Sequence, residues 1–144
     1  MEEAVLEEQE EVQLNRVTLN THTNILKNNA YTIEMLTKNH ATIMIHTDQC
    51  ERVKESGLIY DGILLSAANF AAQAAVNEEK AFLIGLHLDL LNPVKDDGEI
   101  RFEADAKITS SGKKIVSVLG KINDIIFLQG DFMLLLLDEK SLIK

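Results

Sequence analysis

The sequence predicts an α+β domain in which one long helix lies against an antiparallel sheet. Three observations carry this. Residues 61–77, DGILLSAANFAAQAAVN, hold no charge between Asp61 and Glu78 and are rich in Ala, Leu and Ile, so they read as a helix buried around most of its circumference. Residues 99–108 alternate, with Ile100, Phe102, Ala104, Ala106 and Ile108 on one side and Glu99, Arg101, Glu103, Asp105 and Lys107 on the other, which is the pattern of a half-buried strand. Further strand-like runs are separated by short turns, and strands joined that way pair antiparallel. Such a sheet has one apolar face to cover, and 61–77 is the long apolar helix on hand, so the sheet is expected to curl around it.

The elements follow in order. Residues 2–15 read as an acidic helical arm, because Glu is a strong helix former and acids suit first turns. The polar, Asn-rich stretch 18–29 links it to the rest. This divides the chain into an arm and linker at 1–30 and the α+β domain at 31–144. A short element starts at 31–35. Residues 40–47 form a strand with Ala41, Ile43 and Ile45 on one face and His40, Thr42, Met44 and His46 on the other. A charged connection at 48–57 leads into the helix. Residues 80–91 place Phe82, Ile84, Leu86, Leu88 and Leu90 on one face, until Asn92-Pro93 interrupts the run. Asp96-Asp97-Gly98 is a turn, as is Ser110-Ser111-Gly112. Residues 113–122 form a strand with Val116, Val118 and Ile122 on one face, Asn123-Asp124 turns the chain, and 125–137 form the last strand. Gly130 within it marks a bulge or a close backbone approach. The four runs after the helix read as a meander of neighbours.

Composition narrows the function. A chain of 144 residues is one domain with room for a core. A net charge of −9 argues against nucleic acid and against an anionic membrane surface as partners, because phosphate contacts need clustered Lys and Arg. No apolar run approaches the roughly 20 residues of a membrane span. The acidic beginning is unlike a secretory signal, and the lone Cys50 cannot pair within the chain. A cytoplasmic protein is expected. No His, Cys, Asp or Glu pair shows metal-ligand spacing on one element, so no metal is expected.

The long helix also carries a pattern of its own. Ser66, Asn69, Gln73 and Asn77 are three, four and four apart, so they share a face, and Gly62 falls on the same side. Solvent-facing stripes usually carry Lys and Glu. An uncharged polar stripe therefore has two readings: an ordinary amphipathic face, or an edge offered to something other than bulk water.

This order of elements resembles the hotdog fold, in which a curved antiparallel sheet wraps one long helix. Small acyl-CoA thioesterases of that fold open the helix after a G-x-x-H-G-G signature and place an acid seven residues on. Here Gly57 and Gly62 match the first and last glycines, Tyr60 and Asp61 replace the intervening His and Gly, and Asn69 stands in the acid's place. The effector domain of the malonyl-CoA-responsive regulators of bacterial fatty-acid synthesis is a closer match over roughly 58–135. It shares the pair Ala68-Asn69, Pro93-Val94 before Gly98, and Phe127 ahead of Gly130 and Phe132. The chain departs from it in lacking a helix-turn-helix and in having Tyr60 where the regulators hold the malonyl carboxylate with an Arg.

The resemblance implies acyl-CoA or acyl-carrier-protein thioesters as ligand or substrate, no other cofactor, and a homodimer or higher oligomer with the site between protomers. Thioester hydrolysis needs an oxyanion site and a way to activate water. Unpaired N–H groups at a helix start supply the first, and Gly62 lets a carbonyl approach, flanked by Tyr60, Ser66 and Gln73. For the second, Asn69 can orient water but cannot act as a base, which leaves Asp61 as a displaced general base or a simple first-turn acid. Lys113, Lys114 and Lys121 form a candidate cluster for the coenzyme A phosphates, or a solubilising patch. His46 and His87 could reach a site across a dimer. Three functions remain open: an acyl-CoA thioesterase, a non-catalytic acyl-thioester-binding or sensing module, and a partner-binding protein with a vestigial groove.

Overall fold

The computed structural model describes residues 17–28, 30–109 and 112–137. The arm helix expected over 2–15 and the two serines of the 110–112 turn lie outside the described residues. Strands β1 (Tyr31–Thr37) and β2 (His40–His46) form a hairpin, helix α1 spans Asp61–Val76, and β3 (Ala81–Leu90), β4 (Glu99–Ile108), β5 (Lys113–Ile122) and β6 (Ile125–Leu136) follow. They make one six-stranded sheet in the order β1-β2-β4-β5-β6-β3, with antiparallel pairing throughout.

The order corrects the expected meander. β4, β5 and β6 are sequential neighbours, but β3 pairs with β6, not with β4. The Pro93 connection is no tight turn. Leu91 N–H donates to Phe127 O at 2.7 Å and Ile59 N–H to Val94 O at 2.8 Å, so the chain runs along the end of the sheet before β4 begins. β3 is left on the outer edge. Its expected face also fails. A bulge between Leu83 and Gly85 shifts the phase, so Phe82 pairs beside Leu135 while Leu86 pairs beside the buried Phe132. Phe82, Ile84, Leu86 and Leu90 all remain exposed.

Elsewhere alternation and burial agree. Ala41, Ile43 and Ile45 of β2, Ile100, Phe102 and Ala104 of β4, and Val116, Val118 and Ile122 of β5 are buried in one core. Ile108, expected to face in, is 67% exposed at the strand's far end. Asn123 and Asp124 both take positive φ (51° and 64°), which is the two-residue hairpin turn whose twist suits its strands. Gly130 is the close approach and not the bulge: a Cβ there would collide with the His87 carbonyl and Leu88 on β3.

Helix α1 packs on β2, β4 and β5. Ala67, Ala71, Ala74 and Ala75 are almost wholly buried, and their small side chains let the helix sit close to the sheet. Phe70 meets the Tyr31 ring at 5.3 Å. The helix stops at Asn77, which adopts the left-handed conformation (φ 57°) while its N–H donates to Gln73 O at 2.7 Å. Residues 17–28 pack on this end. Asn77 Oδ1 accepts from Asn20 N–H at 2.6 Å, Asn77 Nδ2 donates to Thr18 O at 2.8 Å, and Leu19, Ile25 and Leu26 lie against the core.

Candidate functional site

The helix start is built by the segment before it. Arg52 and Ile59 form an isolated antiparallel bridge, Val53 N–H donates to Leu58 O at 2.8 Å, and Gly57 N–H donates to Val53 O at 2.8 Å. Gly57 turns this small hairpin with φ +74°. Tyr60 N–H then donates to Glu51 O at 2.9 Å, which fixes Tyr60 as the N-cap in extended conformation, without a side-chain capping bond. Asp61 is therefore the first helical residue, at the end of the helix that carries partial positive charge, and the Ile63 N–H of the first turn donates to Tyr60 O at 3.1 Å.

Beside this start lies a cavity of about 280 Å³ lined by Leu58, Ile59, Asp61, Leu64, Leu90, Leu91 and Asn92–Val94. It joins an exposed carboxylate to an apolar wall. Tyr60 is 50% exposed and its ring lies across Gly62: a Cβ at position 62 would stand 2.5–2.8 Å from the ring and its hydroxyl. Glycine at 62 thus makes room for Tyr60 in the first place. On the other side of the Pro93 segment a second cavity, of about 320 Å³, is lined by Lys95, Asp96, Ile122, Ile125 and Phe127.

The polar stripe splits along its length. Ser66 is exposed and Asn69 half-buried, whereas Gln73 is 3% exposed. Asn69 Oδ1 and Gln73 Oε1 are both buried with no hydrogen-bond partner among the described residues. Helical spacing turns the stripe away from the sheet-facing alanines. At 1.5 Å per residue, Asn69 stands about 12 Å beyond Asp61 and Gln73 about 16 Å beyond Gly62. One helix therefore cannot bring Asp61 and Asn69, or Gly62 and Gln73, to the same reacting atom.

The lysines do not gather. β5 places Lys113 and Lys114 at its start and Lys121 near its end, about 23 Å from Lys114 at 3.3 Å per residue. Lys121 is engaged with Glu103 at 3.1 Å. Lys114 instead lines a cavity of about 240 Å³ at the helix C-terminus, with Lys38, Asn20, Asn39 and Asn77 among its neighbours. The expected single phosphate cluster is corrected accordingly: nearness in sequence along a strand is distance in space.

The remaining polar groups are occupied locally. His46 Nδ1 takes the Asp48 N–H at 3.2 Å and stands 2.7 Å from its carboxylate. His87 is exposed beside Asp89 at 3.6 Å. On the outer sheet face His40 Nδ1 meets Asp105 at 2.6 Å. Burial pushes the Cys50 thiol up from its ordinary value, opposed by Arg52. Among the described residues no three His, Cys, Asp or Glu side chains form a metal-holding group, and no helix is long and apolar enough to cross a membrane. Sequence patterns missed the Leu90–Leu91 wall, whose signal was the Asn92-Pro93 break, and Arg52, which carried none.

No protein-family model matches the chain. Over 79 residues it is 32% identical to methylthioribose-1-phosphate isomerase of Aquifex aeolicus, a match over 55% of this chain that spans 17% of the length of that protein. Among solved structures it is similar to an uncharacterized protein, PH1136, from Pyrococcus horikoshii, with TM-score 0.78 and 25% identity over 90% of this chain and 98% of that one. The thioesterase HI1161 from Haemophilus influenzae superposes with TM-score 0.67 at 13% identity, over 85% and 94% of the two chains. The phenylacetic acid degradation protein PaaI from Thermus thermophilus does so with TM-score 0.69 at 14% identity, over 79% and 99%. With its antiparallel sheet and, among the described residues, one long helix, the chain has an α+β fold, the hotdog fold that these structures share.

Proposed function

We propose that this protein handles acyl thioesters of coenzyme A or of an acyl-carrier protein, as a cytoplasmic homodimer whose sheet curls round α1. The observation that carries the reading is the cavity at the start of α1, where Asp61 lines one side and Leu58, Leu64, Leu90 and Leu91 form an apolar wall. The fold likeness to a thioesterase supports it. In the hydrolytic form, water attacks the thioester carbon and Asp61 takes its proton. The oxyanion rests on the Gly62 N–H once the Tyr60 ring moves aside. The C–S bond then breaks, the thiolate takes the proton back from Asp61, and the acid departs. Ser66, Asn69 and Gln73 follow along the helix as contacts for the rest of the ligand.

The dimer part rests on β3. It is an outer strand with Phe82, Ile84, Leu86 and Leu90 exposed, and an unpaired apolar edge invites a second copy. A second reading, a binding or sensing module without turnover, is favoured by one observation: Asn69, an amide, stands where the thioesterases carry an acid. Likeness to the malonyl-CoA-responsive effector domains points the same way.

Hydrolysis of an acyl-CoA panel by the parent protein, Asp61→Asn and Asn69→Ala decides between them. Turnover that falls about 10²-fold or more in Asp61→Asn supports the enzyme. Saturable binding with no turnover supports the module. Neither binding nor turnover ends both readings.

A further inference from the structure

Arginine presents five donors in a rigid planar fork, so one side chain can tie several acceptors on different segments. Arg52 does this. Its Nη1 donates to Gly57 O at 2.8 Å and to Lys95 O at 2.7 Å, and its Nη2 donates to Asp97 Oδ1 at 2.8 Å. Gly57 is the turn of the hairpin that delivers Tyr60 and Asp61. Lys95 and Asp97 continue the segment whose residues 92–94 form the facing wall of the Asp61 cavity. The side chain is 30% exposed, whereas Asp97 is 93% exposed, so the ion pair contributes little and the two carbonyl bonds carry the link. Ile59 N–H also joins the two walls, donating to Val94 O at 2.8 Å.

We infer that Arg52 is a positioning residue: it sets the separation between the helix start and the Pro93 wall, and so the ligand affinity of the cavity, without touching the ligand. This deepens the acyl-thioester reading and rests on it. Lysine is no substitute, because its point charge with rotatable donors cannot hold two carbonyls and a carboxylate in one plane.

The test compares the parent, Arg52→Lys, Arg52→Met, Asp97→Ala and Ile43→Val, the last a distant core variant that controls for general destabilisation. Two quantities are measured: the affinity for a saturated acyl-CoA, and amide exchange at Ile59 and Tyr60. Both Arg52 variants are expected to weaken binding about tenfold and to speed exchange at those amides. Asp97→Ala and Ile43→Val are expected to stay within about twofold of the parent in affinity. Unchanged exchange in Arg52→Met overturns the positioning role. So does unchanged affinity in a parent that binds, or an equal loss in Ile43→Val. A parent that binds no acyl-CoA instead ends the functional reading, and exchange alone then decides whether Arg52 holds the two walls.

Discussion

Helix α1 ends in two different ways. At its start the cap is Tyr60 with no side-chain bond, Asp61, Leu65 and Ser66 are exposed, and a cavity opens beside them. At its finish every residue from Phe70 to Val76 is buried, and Asn77 is bonded to two residues of the segment that packs over it. The difference teaches where stability is held. Burial is concentrated toward the finish, and the less buried start is the end suited to binding, since regions free to bind are drawn from the low-stability end of a fold.

The largest expected effect breaks the closed end. Phe70 is 1% exposed and meets the Tyr31 ring at a tilt of 52°, so Phe70→Ala should cost about 3–5 kcal/mol by leaving a cavity. Leu65 is 39% exposed at the open end, and Leu65→Ala should cost under about 1 kcal/mol. Denaturant titration of both variants checks the contrast, and equal losses would erase it.

A smaller effect sharpens the same contrast. Asn77 combines a positive φ with two side-chain bonds. Asn77→Gly keeps the backbone freedom and loses the bonds, at about 1 kcal/mol. Asn77→Ala adds the left-handed penalty and should cost about 2 kcal/mol. If glycine and alanine cost the same, the conformation is not what the residue supplies.

How much of this could be read from the chain follows from where each signal lives. The helix and β4 were legible because their periodicity is complete within one element: a chargeless run at 61–77, strict alternation at 99–108. β3 was legible as a strand, but its inward face and its partner were not, because a bulge at Leu83/Gly85 shifts its phase and its outer side meets no strand among the described residues. The crossing of β3 to the far edge depends on Leu91 and Ile59 meeting Phe127 and Val94, contacts distant in sequence. At the site, the helix start at Asp61 was legible from its first-turn chemistry. The stripe was found from spacing, but which of its members is buried depends on what packs over the helix. Arg52 looked like any Arg of a charged loop.

Gln73 tests whether the closed end carries a functional cost. Its Oε1 is buried with no partner among the described residues, and a buried orphan acceptor costs about 1–3 kcal/mol. Gln73→Leu should therefore stabilise the free protein by about 1 kcal/mol and weaken acyl-CoA binding, a stability gain taken from function. Calorimetric unfolding and ligand titration on the same preparation check both signs. Loss of stability would mean that the amide has a partner in solution.

The smallest effect concerns pH and the segment over the closed end. Burial holds the His22 imidazole below its ordinary value of 6.5, and its Nδ1 lies 2.7 Å from the Thr21 hydroxyl. The fold thus favours neutral His22, and the unfolded chain binds a proton more readily. The linked stability is fully present above pH 6.5 and is lost as pH falls through that value toward the lower folded one. Urea midpoints of the parent should decline from pH 7.5 to 5, and His22→Asn, which tolerates the positive φ of 54° at this position, should decline less. Because the ring is only partly buried, the expected difference is small. Its sign is the decisive reading: a steeper decline in His22→Asn would mean that the charged ring stabilises the segment, and that charge as well as packing holds the closed end.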